Sequence, residues 1–340
     1  MLVKDVKTAI SPNGAGSATI RTDSRASKDS GHPGFDMQRN RTRRWKSLPR
    51  MLCRSGLGRA RLPAPVGASL ALVALLSPAA AGNLEARYDI SLMGFKIGVA
   101  TLKAQIDGDR YDLSIWAKLT GLAGVMTGGK GAATATGSLT DTRPAPGTFA
   151  ITTAGSEKSI TVRMAMSGGV VQAVEINPEI EPHPDRIAIT DAHRRNVLDP
   201  VSALLMPVGA TLSPANAASV GQSACRRTLP IFDGAARYDI TLTPRTVRTI
   251  KGVGYQGPVA VCDVRYSAIA GHRANRKVTK FMEENRDMQV WLAPLAGTRL
   301  FMPYRISVRT PIGLSEIEAT SLTMDGVPLG RDMSPVRAQN

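Results

Sequence analysis

The chain of 340 residues has little with which to build a reactive centre. Four histidines and three cysteines are scattered along it. No C-x-x-C pair, H-E-x-x-H helix or G-x-S-x-G elbow occurs, which removes the usual signatures of dithiol redox, zinc-protease and α/β-hydrolase chemistry. Long apolar runs are missing too: Val66 to Leu76 is an eleven-residue run, where a membrane-crossing helix needs about 20. No cysteine stands just behind that run to carry a lipid anchor. Enzymatic activity, a metal and a cofactor are therefore not expected.

What surrounds the run has an order. Arg54, Arg59 and Arg61 precede it, and Ser77-Pro78 and Ala79-Ala80-Ala81 follow it. This is the positive, apolar, small-residue layout of a secretory signal peptide, and it predicts cleavage after Ala81. Residues 1–50 show no sustained period, and read either as a disordered extension or as sequence upstream of a true start at Met51. They carry eleven Lys/Arg against four acids, and residues 51–81 add three arginines, so +10 of the net +16 precedes Gly82. The remaining +6 is a mildly basic surface that suits lipid headgroups or an anionic envelope polymer and needs no nucleic-acid partner. Cys53 leaves with the signal. Cys225 and Cys262 remain, and an oxidising compartment favours a disulfide between them over two buried thiols.

From residue 82 to 323 the texture is that of a single β-rich domain, with 324–340 read as a flexible tail. Tyr111, Leu113, Ile115, Ala117 and Leu119 alternate with Asp112, Ser114, Trp116 and Lys118, so one face is buried and the other is wet. Turn signals at Met93-Gly94, Asp107-Gly108, Gly168-Gly169 and Asp233-Gly234 separate such segments. The fold class that follows is mainly β, an antiparallel meander forming a curved open sheet or half-barrel with one or two short helices. Asp199-Pro200 starts a helix over Val201–Met206, and Ser213-Pro214-Ala215 repeats that logic. Thr120–Lys130 reads as a short helix or flap. Pro178, Pro182 and Pro184 exclude a central strand between them. Ala86–Leu92 recurs as Ala236–Leu242, through duplication or because two strands meet the same in–out demand.

The candidate chemistry is sparse. Gly252-Val253-Gly254-Tyr255-Gln256-Gly257 matches the dinucleotide fingerprint by letters, but a strand texture follows it where a helix N-terminus is needed, so a Gly-rich hairpin is the better account. His183-Pro184-Asp185, the tripeptide of J-domains, lies in a Pro-rich loop. Asp191, His193, Asp199 and Ser202 form an acid–base cluster only on paper. His193 with Arg194, and His272 with Arg273, read as surface or anion-contacting groups. Glu283-Glu284 reads as a solvated charged turn. The apolar segments containing Leu119, Leu122, Val125 and Met126, and Val201, Leu204 and Leu205, either seal the concave face of the sheet or form a lid over a lipid-sized groove.

Tyr88-Asp89-Ile90-Ser91-Leu92 with Gly94 and Ile97-Gly98, Leu198-Asp199-Pro200-Val201-Ser202-Ala203-Leu204, Leu229-Pro230-Ile231-Phe232-Asp233-Gly234, and Val290-Trp291-Leu292 with Pro303-Tyr304-Arg305-Ile306 together resemble the DUF3108 family of Gram-negative envelope proteins. The resemblance covers about residues 84–323. It implies a periplasmic, antiparallel β-rich protein and supplies no catalytic residues. Two roles follow as expectations: a carrier or binding module for a lipid or amphipathic envelope component, or a structural protein of the envelope that contacts protein or polymer partners.

Overall fold

The computed structural model describes residues 82–330 apart from 157, 214 and 253, and excludes the side chains of Leu122 and Met126. The expected leader, its cleavage site and most of the expected tail lie outside these residues. Seven strands form an unbroken meander: β1 (Gly82–Leu92), β2 (Phe95–Asp107), β3 (Arg110–Leu119), β4 (Lys130–Leu139), β5 (Pro144–Ala154), β6 (Ser159–Ser167) and β7 (Val170–Asn177). After a long connection come β8 (Met206–Pro207), β9 (Arg227–Phe232), β10 (Arg237–Lys251), β11 (Gln256–Ala270), β12 (Met288–Leu295), β13 (Leu300–Thr310), β14 (Gly313–Met324) and β15 (Val327–Pro328). Three short helices, α1 (Gly121–Thr127), α2 (Ala217–Ala224) and α3 (Lys277–Glu284), occupy connections.

All fifteen strands belong to one antiparallel sheet. Neighbours run β7-β6-β5-β4-β3-β2-β1-β14-β13-β12-β11-β10-β9, so the pairing of β1 with β14 welds the two meanders together. Thirteen strands laid flat would be roughly 60 Å wide at the usual spacing. Yet Gly234, in the turn after β9, packs so closely on β6 that a Cβ there would sit 2.4 Å from Val162 Cγ1. Far-apart members of the path therefore meet, and the sheet must coil. It does so around a core to which β1–β6 contribute Leu84, Leu102, Leu113, Phe149 and Val162, and β12–β14 contribute Leu295, Met302 and Leu322.

The ladder does not close. Its open seam is spanned by the chain after β7, where Arg195 bridges Val170 antiparallel and Leu198 bridges Ile231 in parallel. Val197 N–H donates to Gly169 at 3.1 Å, Leu198 N–H to Pro230 at 2.8 Å, and Phe232 N–H to Leu198 at 2.9 Å. The strap then turns inward, and Val197, Val201 and Leu205 join the core. The outer side of the second meander carries a separate cluster in which α2 packs on β11, β10 and β12, with Leu229, Leu242, Leu292 and Phe301 buried. Cys225, which caps α2, is disulfide-bonded to Cys262 of β11 across a Cα separation of 5.4 Å.

Several local expectations are revised. Val201–Met206 is a single 3₁₀ turn, Ser202–Leu204, rather than a longer helix. The Asp199 cap forms as read, but Met206-Pro207 leaves the helix to pair with Leu300-Phe301, and Pro207 has no N–H to continue it. The helix near Ser213 begins at Ala217, since Asn216 Oδ1 accepts the Ser213 N–H and holds the intervening loop. Glu283 and Glu284 are exposed, as charge predicts, but end α3 instead of forming a turn. Order also continues past 323, where β15 pairs with the end of β14. The repeated Ala-Arg-Tyr-Asp-Ile segments serve different places: Tyr88 faces the main core and Tyr238 the α2 cluster.

The Cys225–Cys262 bridge closes a loop with a sequence separation of 37, for which the chain-entropy model gives about 4 kcal/mol. Urea unfolding of Cys225→Ser/Cys262→Ser should therefore show stability lower by about 3–4 kcal/mol. Free thiols at both positions in the unreduced protein would contradict the pairing.

Candidate functional site

The strap carries the most unusual polar arrangement in the described residues. Asp199 and Ser202 are fully buried, and Tyr111 of β3 is nearly so. Asp199 Oδ1 accepts the backbone N–H of Val201 at 2.9 Å and of Ser202 at 2.8 Å, which is why Asp followed by Pro forms the turn. The Tyr111 hydroxyl donates to Ser202 Oγ at 2.7 Å, tying the turn to the wall of the sheet. Asp199 Oδ2 has no hydrogen-bond partner in the described residues. Burial pushes the Asp199 carboxyl above the ordinary carboxylate range; hydrogen bonds from Ser202 and Val201 oppose that shift only in part. Among the described residues no histidine is bonded to this group, and Ser202 has no exposed surface. The arrangement is a brace.

The paper cluster of Asp191, His193, Asp199 and Ser202 is thereby split. His193 lies on an exposed 3₁₀ turn, where its Nδ1 accepts the Thr190 N–H at 3.1 Å, and Arg194 is exposed beside it. His272 and Arg273 follow β11, where Arg273 Nε donates to Asp185 Oδ1 at 2.9 Å and His183 pairs with the same carboxylate. Burial works against ionisation of Asp185, but the bond and charge of Arg273, with His183, win and hold it below the usual range. His193 and Arg273 thus fasten loops, whereas the His272 Nδ1 has no hydrogen-bond partner among the described residues. Among the described residues no cluster of His, Cys, Asp or Glu could hold a metal.

The two halves of the imagined lid lie apart. Val201 and Leu205 are core, and Leu204 is packed partly buried against it. Leu119 is half-buried at the end of β3, while Val125 on α1 is 85% exposed. The concave face is occupied by the strap, which sequence reading allowed as one of two outcomes. G-x-G-x-x-G is the β10–β11 hairpin: Gly252 N–H donates to Tyr255, and a Cβ on Gly254 would lie 2.4 Å from the backbone of Thr320. Glycine here permits close packing of the hairpin tip on β14.

Beside that hairpin is a cleft that the sequence did not reveal, of about 350 Å³. Leu212, Ala217, Ile250, Tyr255, Pro258 and Leu329 supply apolar walls from five separate segments. Lys251, Gln256 and Ser213 also line it, the first two exposed. A second depression, of about 670 Å³, lies over Tyr111 and is lined largely by polar strand ends such as Asp107, Arg110 and Asp112.

The matched family model spans residues 87–320, and the chain belongs to the DUF3108 family, described as a protein of unknown function. Among solved structures the chain is similar to a beta-barrel-like protein of the domain of unknown function DUF1849 from Brucella abortus, at 10% identity. That match covers 71% of this chain and 97% of the other, with a TM-score of 0.41. No curated protein matches. No helix among the described residues is long and apolar enough to cross a membrane.

The raised pKa of Asp199 has a definite sign in stability. Between the ordinary carboxylate pKa and the raised one, the unfolded chain gives up this proton before the folded chain does, so the group's contribution falls as pH rises. Asp199→Asn removes that dependence. Its stability relative to the parent, measured by denaturant unfolding across this window, should improve steadily with pH, whatever constant offset the new amide introduces.

Proposed function

We propose that the protein is an exported, non-catalytic binding module for an amphipathic envelope component with an aliphatic tail and an anionic head. The observation that carries this reading is the cleft of about 350 Å³ beside the β10–β11 hairpin. Its volume falls at the lower end of the range of small-molecule sites, and its apolar walls with a few polar groups match their usual composition. Leu212, Ile250 and Leu329 take the tail, and Lys251 at the mouth faces the head. Export is supported by the Arg54–Ala81 layout and by the Cys225–Cys262 disulfide, a bond that persists in oxidising compartments. The reading includes no enzymatic activity, and what supports that part is that Ser202 has no exposed surface.

Native mass spectrometry with dodecanoate as the probe tests the cleft. The parent should retain it, and Ile250→Glu should weaken retention at least about tenfold by placing a carboxylate against the tail. Val125→Glu, on α1, should leave it unchanged. Equal binding by both variants, or none by the parent, would remove the proposal.

A further inference from the structure

The β1–β2 turn, the β13–β14 turn and α1 lie at one rim of the sheet, well away from the cleft. Among the described residues the two most exposed large apolar side chains are both here, Val125 at 85% and Phe95 at 74%. Met93, which lies against Gly313 of the neighbouring turn, is 59% exposed, and Trp116 on the outer face of β3 is 44% exposed. In a chain with only six Phe and three Trp, one of each is left facing water at the same rim. Leaving such side chains in water at a turn does nothing for the core, which is filled from the opposite face of β3. Helix α1 packs on β2 and β3, and Thr120 N–H donates to Ile97 at 2.8 Å, so the apolar group stands on a braced base.

Beside it stand two exposed lysines, while the acids of β1 and β14 next to the turns are paired with cations, Asp89 with Lys96 and Glu316 and Glu318 with Arg305. Lys118 of β3 and Lys130 of β4 are direct cross-strand partners, and both are exposed. Like charges directly opposite one another destabilise a sheet, and an anionic surface converts that repulsion into attraction. The Lys118 amine also sits 5.3 Å from the centre of the Trp116 ring, a cation on an aromatic at the edge of the apolar group. Lys96, next to Phe95, pairs with Asp89 at 2.7 Å, which leaves that acid neutralised. Exposed aromatics and aliphatics flanked by lysines are a composition that settles at a bilayer interface, with the apolar tips among the acyl chains and the amines at the phosphates.

From this arrangement we infer that the rim formed by Met93, Phe95, Trp116 and Val125, with Lys118 and Lys130, docks reversibly on an anionic lipid bilayer. The inference is independent of the cleft. It places the molecule on a membrane surface without a crossing segment, oriented with the β1–β2 and β13–β14 turns toward the lipid.

The test is amide hydrogen exchange of the full chain with and without vesicles of equal parts phosphatidylglycerol and phosphatidylcholine. Residues 93–97 and 118–130 should gain protection, and pure phosphatidylcholine should give little. In co-sedimentation, Lys118→Gln/Lys130→Gln should weaken binding about tenfold, with the difference shrinking as salt is raised. Phe95→Ser/Val125→Ser should do so by a similar factor, and because both side chains are exposed the fold should persist by circular dichroism. Ile250→Glu should bind vesicles like the parent, which separates this outcome from failure of the cleft. Vesicle-induced protection confined to residues before Gly82 or elsewhere would overturn the inference. So would rim protection that appears without lipid as protein concentration rises, because a second copy would then be the occupant.

Discussion

The seam between the first and last strands of the path sets the terms for everything else. An antiparallel sheet of this width leaves two edges, and unpaired edges template aggregation. Here a single irregular strap lies between them, bonded to Gly169 beside β7 and to Pro230 and Phe232 on β9. Because the strap needs Asp199 to satisfy its own backbone N–H groups, a buried carboxyl enters the core, and Tyr111 and Ser202 join it as a polar brace. The strap also fills the concave face with Val197, Val201 and Leu205.

That filling moves the candidate sites to the surface. With the interior occupied, the open features among the described residues include a cleft at the β10–β11 hairpin and an apolar rim at the other end of the strands. Gly254 allows the hairpin tip to touch the backbone of β14, and the cleft forms where the hairpin, α2 and the residues after β15 converge. The Cys225–Cys262 bond ties the end of α2 to β11 and stabilises the fold by restricting the unfolded chain.

Histidines and arginines illustrate how differently a residue type can be used. His272-Arg273 and His183-Pro184-Asp185 lie far apart in sequence and suggest separate surfaces. In the structure Asp185 meets both Arg273 and His183, and the result is a clamp between two loops. By contrast, Lys118 and Lys130 stand opposite each other where a sheet gains nothing from like charges, and Phe95 and Val125 remain in water. Features that oppose stability in this way are more informative about partners than features that secure it.

Period-2 alternation, as in Tyr111 to Leu119, makes each strand and its buried face readable, because the pleat sends successive side chains to opposite sides. Glycine turns make the meander readable for the same local reason, and the expectation of an oxidising compartment makes Cys225 and Cys262 readable as a pair. Helix α3 and the short 3₁₀ turn at Ser202 were less legible, since their ends are set by packing and by the pairing of Met206-Pro207 with Leu300-Phe301. Local sequence cannot say that β1 lies beside β14, that Leu198 bonds to Pro230 of β9, or that Tyr111 reaches Ser202, because such partners are distant in the chain, by about 30 residues for Leu198 and Pro230, by 91 for Tyr111 and Ser202, and by 242 for Asn83 and Asp325 at the end of the β1–β14 pairing. The cleft and the rim depend on such distant neighbours, so alternation fixed the strands while long-range pairing alone decided which surfaces stayed open.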